Sequence, residues 1–524
     1  MSSVLDEVLE GFEPSPQIVS VMAGSKSAVA MGIDIGSSGV RAALFDEQGL
    51  EIDGAGVRLS RKTAGFEELT ANDADRSLEL VATAIDELLE RSPEHCERIE
   101  IVSISCFWHS LVGVDAESQA TTPVLTWADT QATASAKELR RRFDEATIHL
   151  RTGCRFHPSY WPAKLLWLRK EQPKTFDATR RWLSFAEFLT LRLFGETATS
   201  ISMASGTGLF NQHTCEWDDE LIDELEIDPE SLPEIAGHHR TFHGLTPEYA
   251  ARWPQLFEAR FFPAIGDGAA NAIGSGCTTR DEVALMVGTS GAMRVLYEGD
   301  PPNVVPSELW SYRADRGRVV VGGALSDGGR LYGWLRDSLL PGYDSESIEI
   351  ALNALEPDSH GLTVLPFWGG ERSPGWSLDA CGSIHGLTHD TEASEILRAA
   401  MEAVAYRFAL IARALDRMAP GAAIIASGTA LRSSPVWTQI IADVLGRPLT
   451  LTESRETSTL GAALLALEAA GKIQTIETTR VSGGRIFEPD MSRHARYQEG
   501  LERQQQVYER LFSSETYSNK DIEQ

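Results

Sequence analysis

The chain has 524 residues, 42% of them hydrophobic and 23% charged. That is ample apolar material for sizeable cores, and it excludes a wholly disordered chain, a collagen-like repeat and a disulfide-stapled miniprotein. The 47 basic and 76 acidic residues leave a net charge of −29, which argues against a general nucleic-acid or anionic-membrane binder and obliges any phosphate chemistry to rest on local donors or a metal.

In chain order, residues 1–28 carry Asp6, Glu7, Glu10 and Glu13 against a single Lys26. With no basic n-region and no long apolar stretch they are expected to form a flexible extension, not a secretory signal. Structure is expected to begin at about Ala28. Ala28–Ile35 reads as a short apolar strand, Gly36-Ser37-Ser38-Gly39 as a turn, and Val40–Phe45 as its partner strand, followed by a second turn at Asp46-Glu47-Gln48-Gly49. Helical spacing covers Ser77–Glu90, Ile99–Ser105 reads as a buried strand, and helical patterns return at Ala132–Phe143, Pro162–Glu171 and Phe185–Leu193.

Val283–Val287, Gly288-Thr289-Ser290-Gly291 and Ala292–Tyr297 repeat the first strand, turn and strand. Gly36 matches Gly288 and Leu44-Phe45 matches Leu296-Tyr297 at one offset, 288 − 36 = 252. A repeat at that distance predicts two similar domains and not a solenoid. The domains are expected at 29–277 and 278–505, the boundary falling in Gly274–Thr279, with a polar tail over 506–524. Gly322–Gly329 reads as a glycine-rich loop before a helix at Leu331–Leu340. Leu397, Met401, Val404, Phe408, Ile411 and Leu415 recur at helical steps, and Pro420-Gly421 ends that helix. Ala422–Ala426 and Leu449–Thr452 then read as strands, and Pro435–Leu445 and Thr457–Ala470 as helices. This alternation predicts an α/β fold.

Cysteines at 96, 106, 154, 215, 277 and 381 form no CxxC pair and read as reduced thiols of a cytoplasmic protein. No apolar run reaches the ~18 residues that span a bilayer. The histidines, including His238-His239, have no metal-ligand spacing. There is no Gly-x4-Gly-Lys-Ser/Thr P-loop and no dinucleotide fingerprint after the first strand.

Three places can carry chemistry. Asp34 followed by Gly36-Ser37-Ser38-Gly39 puts an acid beside a turn whose N–H groups and hydroxyls can approach an anion, with Arg41 adding charge. An acid there suits Mg²⁺. The alternative is a plain hairpin turn with a capping Asp, and the second turn, Gly288-Thr289-Ser290, weighs against it. Two phosphate-cradling turns, one per domain, are then expected to face each other across a cleft. Asp267, between Gly266 and Gly268, has no bulky sequence neighbour and suits a general base for an attacking hydroxyl, or else caps a helix that begins at Gly268. Ser427-Gly428-Thr429 ends a strand and reads as a nucleotide-contact loop or a simple connection. Trp108 and His109 follow the strand Ile99–Ser105, the end where α/β sheets bind ligands, although such a pair is also ordinary packing.

In order, Phe107-Trp108-His109-Ser110-Leu111, Thr126-Trp127-Ala128-Asp129, Arg151-Thr152-Gly153-Cys154 and Ser202–Phe210, then Gly288–Ala292, Gly369-Gly370-Glu371-Arg372-Ser373-Pro374 and Gly461-Ala462-Ala463, resemble the FGGY carbohydrate kinases of the actin/hexokinase/Hsp70 superfamily, gluconate kinases most of all. The resemblance implies two RNase H-like, actin-like ATPase domains around a central cleft. It implies a carbohydrate kinase using ATP and Mg²⁺ on a small sugar or sugar acid, with D-gluconate first and xylulose or another ketose or polyol as the alternative. A non-catalytic actin-like ATP or sugar sensor is the alternative of another class. Under the resemblance Asp267 is the catalytic base and, with Asp34, a Mg²⁺ ligand. Ser37, Ser38, Arg41, Gly288, Thr289 and Ser290 approach the phosphates, Gly428 and Thr429 the adenosine, and Trp108 and His109 the sugar. His109, Arg155, His157 and Lys164 are candidate cations for a substrate carboxylate. A homodimer is one assembly the resemblance allows. Phe107, Gln131 and Thr429 depart from the usual family residues.

Overall fold

The computed structural model describes residues 29–61, 73–96, 98–237, 240–454, 456–478 and 483–512. The expected N-terminal extension, His238-His239 and the stretch from Ser513 lie outside them. Two mixed sheets carry the fold. The first is built from β1 (Ala30–Gly36), β2 (Gly39–Phe45), β3 (Glu51–Ser60), β4 (Ile101–Cys106), β5 (Arg260–Phe261) and β6 (Ile265–Gly266), in the order β5-β4-β1-β2-β3 with β6 also on β4. The strands β1, β2 and β3 form an antiparallel meander, and β4 runs parallel to β1. β1 is a central strand with the helix Thr457–Ala469 packed on it, and its residues from Ala30 to Ile35 are all buried, which is why the run is continuously apolar apart from Asp34.

The second sheet contains β7 (Glu282–Val287), β8 (Gly291–Glu298), β9 (Trp310–Arg313), β10 (Arg318–Leu325), β11 (Ala423–Ser427), β12 (Leu449–Thr452) and β13 (Gly484–Phe487), in the order β9-β10-β8-β7-β11-β12-β13. Here too an antiparallel meander, β7-β8-β10, has a parallel strand, β11, beside its first member. The repeat at 252 residues is therefore a repeat of sheet topology, with β1-β2 and β7-β8 as equivalent hairpins.

The helices fall close to their sequence expectations. Ala74–Arg91 is capped by Asp73, which accepts from the Arg76 N–H at 2.9 Å. Ala393–Leu415 buries Leu397, Met401, Val404, Phe408, Ile411 and Leu415 as the spacing predicts. It also buries Arg398, Glu402 and Arg407, because Arg398 pairs with Glu402 at 2.7 Å and Arg407 with Glu371.

Three expectations change. Gly322 and Gly323 are not loop but β10, where a Cβ on Gly322 would come within 2.5 Å of the Met293 carbonyl oxygen. The glycines allow close packing of the sheet, and only 326–328 turns before the helix Gly329–Leu339. Residues 506–512 belong to a helix, Met491–Phe512, whose Tyr508 hydroxyl donates to Glu371 at 2.6 Å. The helix Thr457–Ala469, beyond the expected boundary at 278, packs on β1 and β4 of the first sheet.

That helix crosses Asp267–Gly274 with backbone against backbone. A Cβ on Gly461 would stand 1.8 Å from the Ala270 carbonyl oxygen, and one on Gly274 1.8 Å from that of Thr457. The glycines let two backbones touch, which joins the halves at the base of the cleft. One hydrophobic cluster runs from β1 and β4 through this joint to Trp310, Tyr312 and Trp376 of the second half. A second cluster surrounds Ala393–Leu415.

Candidate active site

A cleft of about 1030 Å³ opens between the sheets. Asp34, Ser37, Ser38 and Arg41 line it from the first hairpin, Gly288, Thr289 and Ser290 from the second, Gly428 and Thr429 from the end of β11, and Asp267 from its helix. The two glycine-hydroxyl turns thus share one cavity, which is the juxtaposition the repeat predicts. Gly428 has φ of +105° and a virtual Cβ 2.3 Å from the Val287 carbonyl oxygen, so a side chain is excluded there on two counts.

Asp34 is buried. One carboxylate oxygen accepts from Arg41 Nη1 at 2.7 Å and the other from the Ser105 hydroxyl at 2.8 Å. Arg41 also reaches Glu456 at 3.4 Å, and Arg58 meets the same carboxylate at 3.2 Å. The charge expected of Arg41 toward phosphate is therefore shared between two acids in a balanced group of four.

Asp267 is the first residue of its helix, one position before the expected start at Gly268, and it does not cap that helix. Its Oδ1 accepts from the Gly268 N–H at 2.8 Å. Burial, with the Asp34 charge adding to it, pushes the carboxyl up to about 6 against the pull of Arg294, the Gly268 N–H and Arg372. Arg294 comes from β8 and donates to the Gly268 carbonyl at 2.7 Å and to Asn271 Oδ1 at 3.3 Å. Asn271 in turn donates to the Ser427 and Thr457 hydroxyls. Both halves of the molecule thus hold the helix that carries Asp267.

Trp108 and His109 are not among the residues that line the cleft. Trp108 is buried beneath it, with its indole N–H donating to the Ser202 carbonyl at 2.8 Å and its ring edge-on to Tyr312 at 5.0 Å. A Cβ at Gly266 would lie 1.8 Å from that ring and one at Gly268 2.4 Å. The small residues around Asp267 therefore make room for Trp108, and the expected sugar contact by Trp108 is corrected to a packing role. Phe107 and Trp127 are the aromatic residues at the cleft surface.

His109 has φ of 70° and is also buried. Its Nδ1 lies 2.6 Å from the Gly206 carbonyl, which can only accept, so Nδ1 carries the proton and Nε2 accepts from Arg372 Nη2 at 3.0 Å. Burial and the Arg372 charge hold it well below the usual imidazole range, so it is neutral. The other candidate cations are engaged as well. Arg155 pairs with Glu145. His157 donates to the Glu371 carbonyl at 3.0 Å and is pushed by burial down to about 3. Lys164 donates to the His109 and Leu125 carbonyls and is pulled by burial down to about 7. Of the departures, Gln131 is exposed and bonds Asp129 at 2.8 Å.

The model of the FGGY carbohydrate kinase N-terminal domain matches residues 29–274, and that of the C-terminal domain matches 283–470. The chain belongs to the FGGY family of carbohydrate kinases. It is 28% identical over 463 residues to a gluconokinase of Bacillus licheniformis, covering 85% of this chain and 88% of that one. A xylulose kinase of Bacillus subtilis is 23% identical over 451 residues, covering 85% and 89%. The solved gluconate kinase and ligand-bound xylulose kinase of Lactobacillus acidophilus each superpose with a TM-score of 0.81 at 27% identity, covering 93% and 92% of this chain and 98% of each of theirs.

This carbohydrate kinase is thus a phosphotransferase with an alcohol as acceptor, and kinases of the family take ATP as co-substrate. No helix among its described residues is long and apolar enough to cross a membrane. Sequence reading missed Arg294, Asn271, Glu456 and, as a side chain with a role, Arg372. Each is hundreds of residues or one domain away from what it touches, and no local spacing announces it.

Proposed function

We propose that the protein is a cytoplasmic, ATP- and Mg²⁺-dependent gluconokinase that phosphorylates the 6-hydroxyl of D-gluconate. The observation that carries the reading is the position of Asp267, a carboxylate raised to about 6, in one cleft with both glycine-hydroxyl turns. Asp267 accepts the proton of the substrate hydroxyl as its oxygen attacks the γ-phosphorus. The bond to the β–γ bridging oxygen breaks and ADP leaves. Ser37, Ser38, Thr289 and Ser290 and their turn N–H groups lie toward the phosphates, and Gly428 and Thr429 toward the adenosine.

Asp34 and Asp267 would hold Mg²⁺. They repel each other across the cleft, which a cation would relieve, and each carboxylate oxygen of Asp34 keeps a lone pair after its hydrogen bond. When bound, the ion would neutralise phosphate oxygens. The likeness to gluconokinases supports the acceptor.

A coupled ADP-release assay over D-gluconate, D-xylulose and glycerol tests the reading. Release with gluconate above the others is expected. Preference for xylulose or glycerol overturns the substrate, and sugar-independent release overturns the kinase mechanism. Asp267→Asn is expected to keep ATP binding while lowering turnover by roughly 10²-fold or more. Near-normal turnover removes Asp267 as the base.

A further inference from the structure

Arg372 is 7% exposed and lies beside the cleft, next to the Trp127 ring that lines it. Its guanidinium faces His109 Nε2 at 3.0 Å, the Tyr160 hydroxyl, and the ring of Trp127 at 5.6 Å. All three partners are neutral. Its Nε has no hydrogen-bond partner among the described residues, and no carboxylate there forms an ion pair with it. Of the other buried arginines, Arg294 also has an Nε without a partner among the described residues, but it bonds the Gly268 carbonyl and Asn271 Oδ1. Arg398 and Arg407 each have a glutamate, and Arg313 has three backbone carbonyls. A desolvated guanidinium with a spare donor and no carboxylate bonded to it is destabilising unless an anion completes it.

The direction in which it is incomplete is informative. Trp127 lines the cleft, and Arg372 is close enough to Asp267 to act on its charge. Arg372 does not itself line that cleft, and its contacts are with Trp127, His109 and Tyr160 and with none of the residues of the phosphate-side turns. Its charge is therefore offered to the acceptor substrate and not to the nucleotide. Lys164 lies in the same region and donates to the His109 and Leu125 carbonyls, with no carboxylate among the described residues bonded to it.

Resting on the gluconokinase reading, we propose that Arg372 binds the carboxylate of the sugar acid and that His109 positions it as a neutral acceptor of its Nη2 proton. The planar fork matches a carboxylate. The unprotonated Nε2 of His109 and the Trp127 face hold that fork in one orientation. Selection for an acid over a neutral polyol then follows from the buried charge, which a neutral ligand leaves unmatched.

The test is initial-rate kinetics on the full-length protein at saturating Mg-ATP. D-gluconate is compared with D-glucitol, which has the same carbons 2–6 and a neutral hydroxymethyl group at carbon 1, measured as acceptor or as competitive inhibitor. Arg372→Met is expected to raise the gluconate KM on the order of 10²-fold, with kcat changed less than about threefold and glucitol binding and the ATP KM little altered. A fall in kcat at unchanged gluconate KM assigns Arg372 to the phosphoryl group and overturns the proposal. Equal weakening of gluconate and glucitol does the same. If Arg372→Met fails to fold, Arg372→Lys keeps the charge without the fork and is expected to raise the gluconate KM about tenfold, so an unchanged KM overturns the proposal. His109→Leu is expected to raise the gluconate KM about tenfold, and His109→Gln, which retains an acceptor, to restore most of it. A wild-type gluconate KM in His109→Leu removes the positioning role. Absence of gluconate turnover in the wild-type protein is the failure of the gluconokinase reading itself and takes the carboxylate assignment with it.

Discussion

At the scale of single residues, the proposed chemistry turns on how the Asp267 carboxylate is raised to about 6, basic enough to take a proton yet mostly ionised at physiological pH. Burial and the neighbouring Asp34 raise Asp267 to about 6, and Arg294 limits the rise. A base must be unprotonated to accept the hydroxyl proton, so activity belongs above that value and is lost as pH falls through it. In acceptor kcat/KM at saturating Mg-ATP, we expect an acid limb with an apparent pKa near 6 or lower, since a bound cation stabilises the carboxylate. Arg294→Gln removes the pull toward the ionised form and is expected to move the limb to higher pH. A profile flat from pH 5 to pH 8, or a limb that moves to lower pH in Arg294→Gln, contradicts this account. The Gly-Asp-Gly sequence also shows how one pattern can have a cause that sequence does not display. It signals an accessible acid, but the glycines are required by the Trp108 indole, 158 positions before Gly266 (266 − 108) and folded directly beneath it.

At the scale of elements, what was legible in the sequence was local. The two hairpins could be read because a tight turn between paired strands needs glycine and small hydroxyl residues at fixed places, and the same places recur 252 residues later. The long helix Ala393–Leu415 could be read from its apolar period. The assignments that changed depend on distant partners. Gly322 and Gly323 imitate a loop because their neighbours across the sheet and beneath it, Met293 and Ile411, leave no room for side chains. The polar end of Met491–Phe512 imitates a tail because Tyr508 reaches Glu371, 137 residues away. The helix crossing that carries Asp267 belongs to this second group. Replacing Gly461 with Ala puts a methyl group 1.8 Å from the Ala270 carbonyl oxygen, and backbone on both sides must move. We expect a loss of about 1–3 kcal/mol, a lower melting temperature, and reduced kcat, because the displaced helix begins at Asp267. Wild-type melting and turnover in Gly461→Ala would show that the crossing is looser than described.

At the scale of the whole molecule, the net charge of −29 and the handling of phosphate by a carbohydrate kinase are reconciled by burial. The acidic excess is a property of the total, while the basic residues packed around the cleft, Arg294, Arg372 and Lys164, are withdrawn from water, where their fields are least screened. Holding them there requires both halves. Arg294 comes from the second sheet and grips the first half's Asp267 helix. His109 comes from the first half and grips Arg372. The Tyr160 and Tyr312 hydroxyls meet across the same divide at 2.5 Å. A hydrophobic cluster also crosses it, so part of the apolar surface of each half is buried against the other, although the second half keeps a cluster of its own. The two family domains are therefore expected to unfold together. Calorimetry should record one transition, and a nucleotide that binds only the folded protein should raise that whole transition, by about 2.7 kcal/mol at a hundredfold excess over its Kd. Two resolved transitions, with ATP shifting only one, would mean that the halves are independent and that the shared cluster does not couple them.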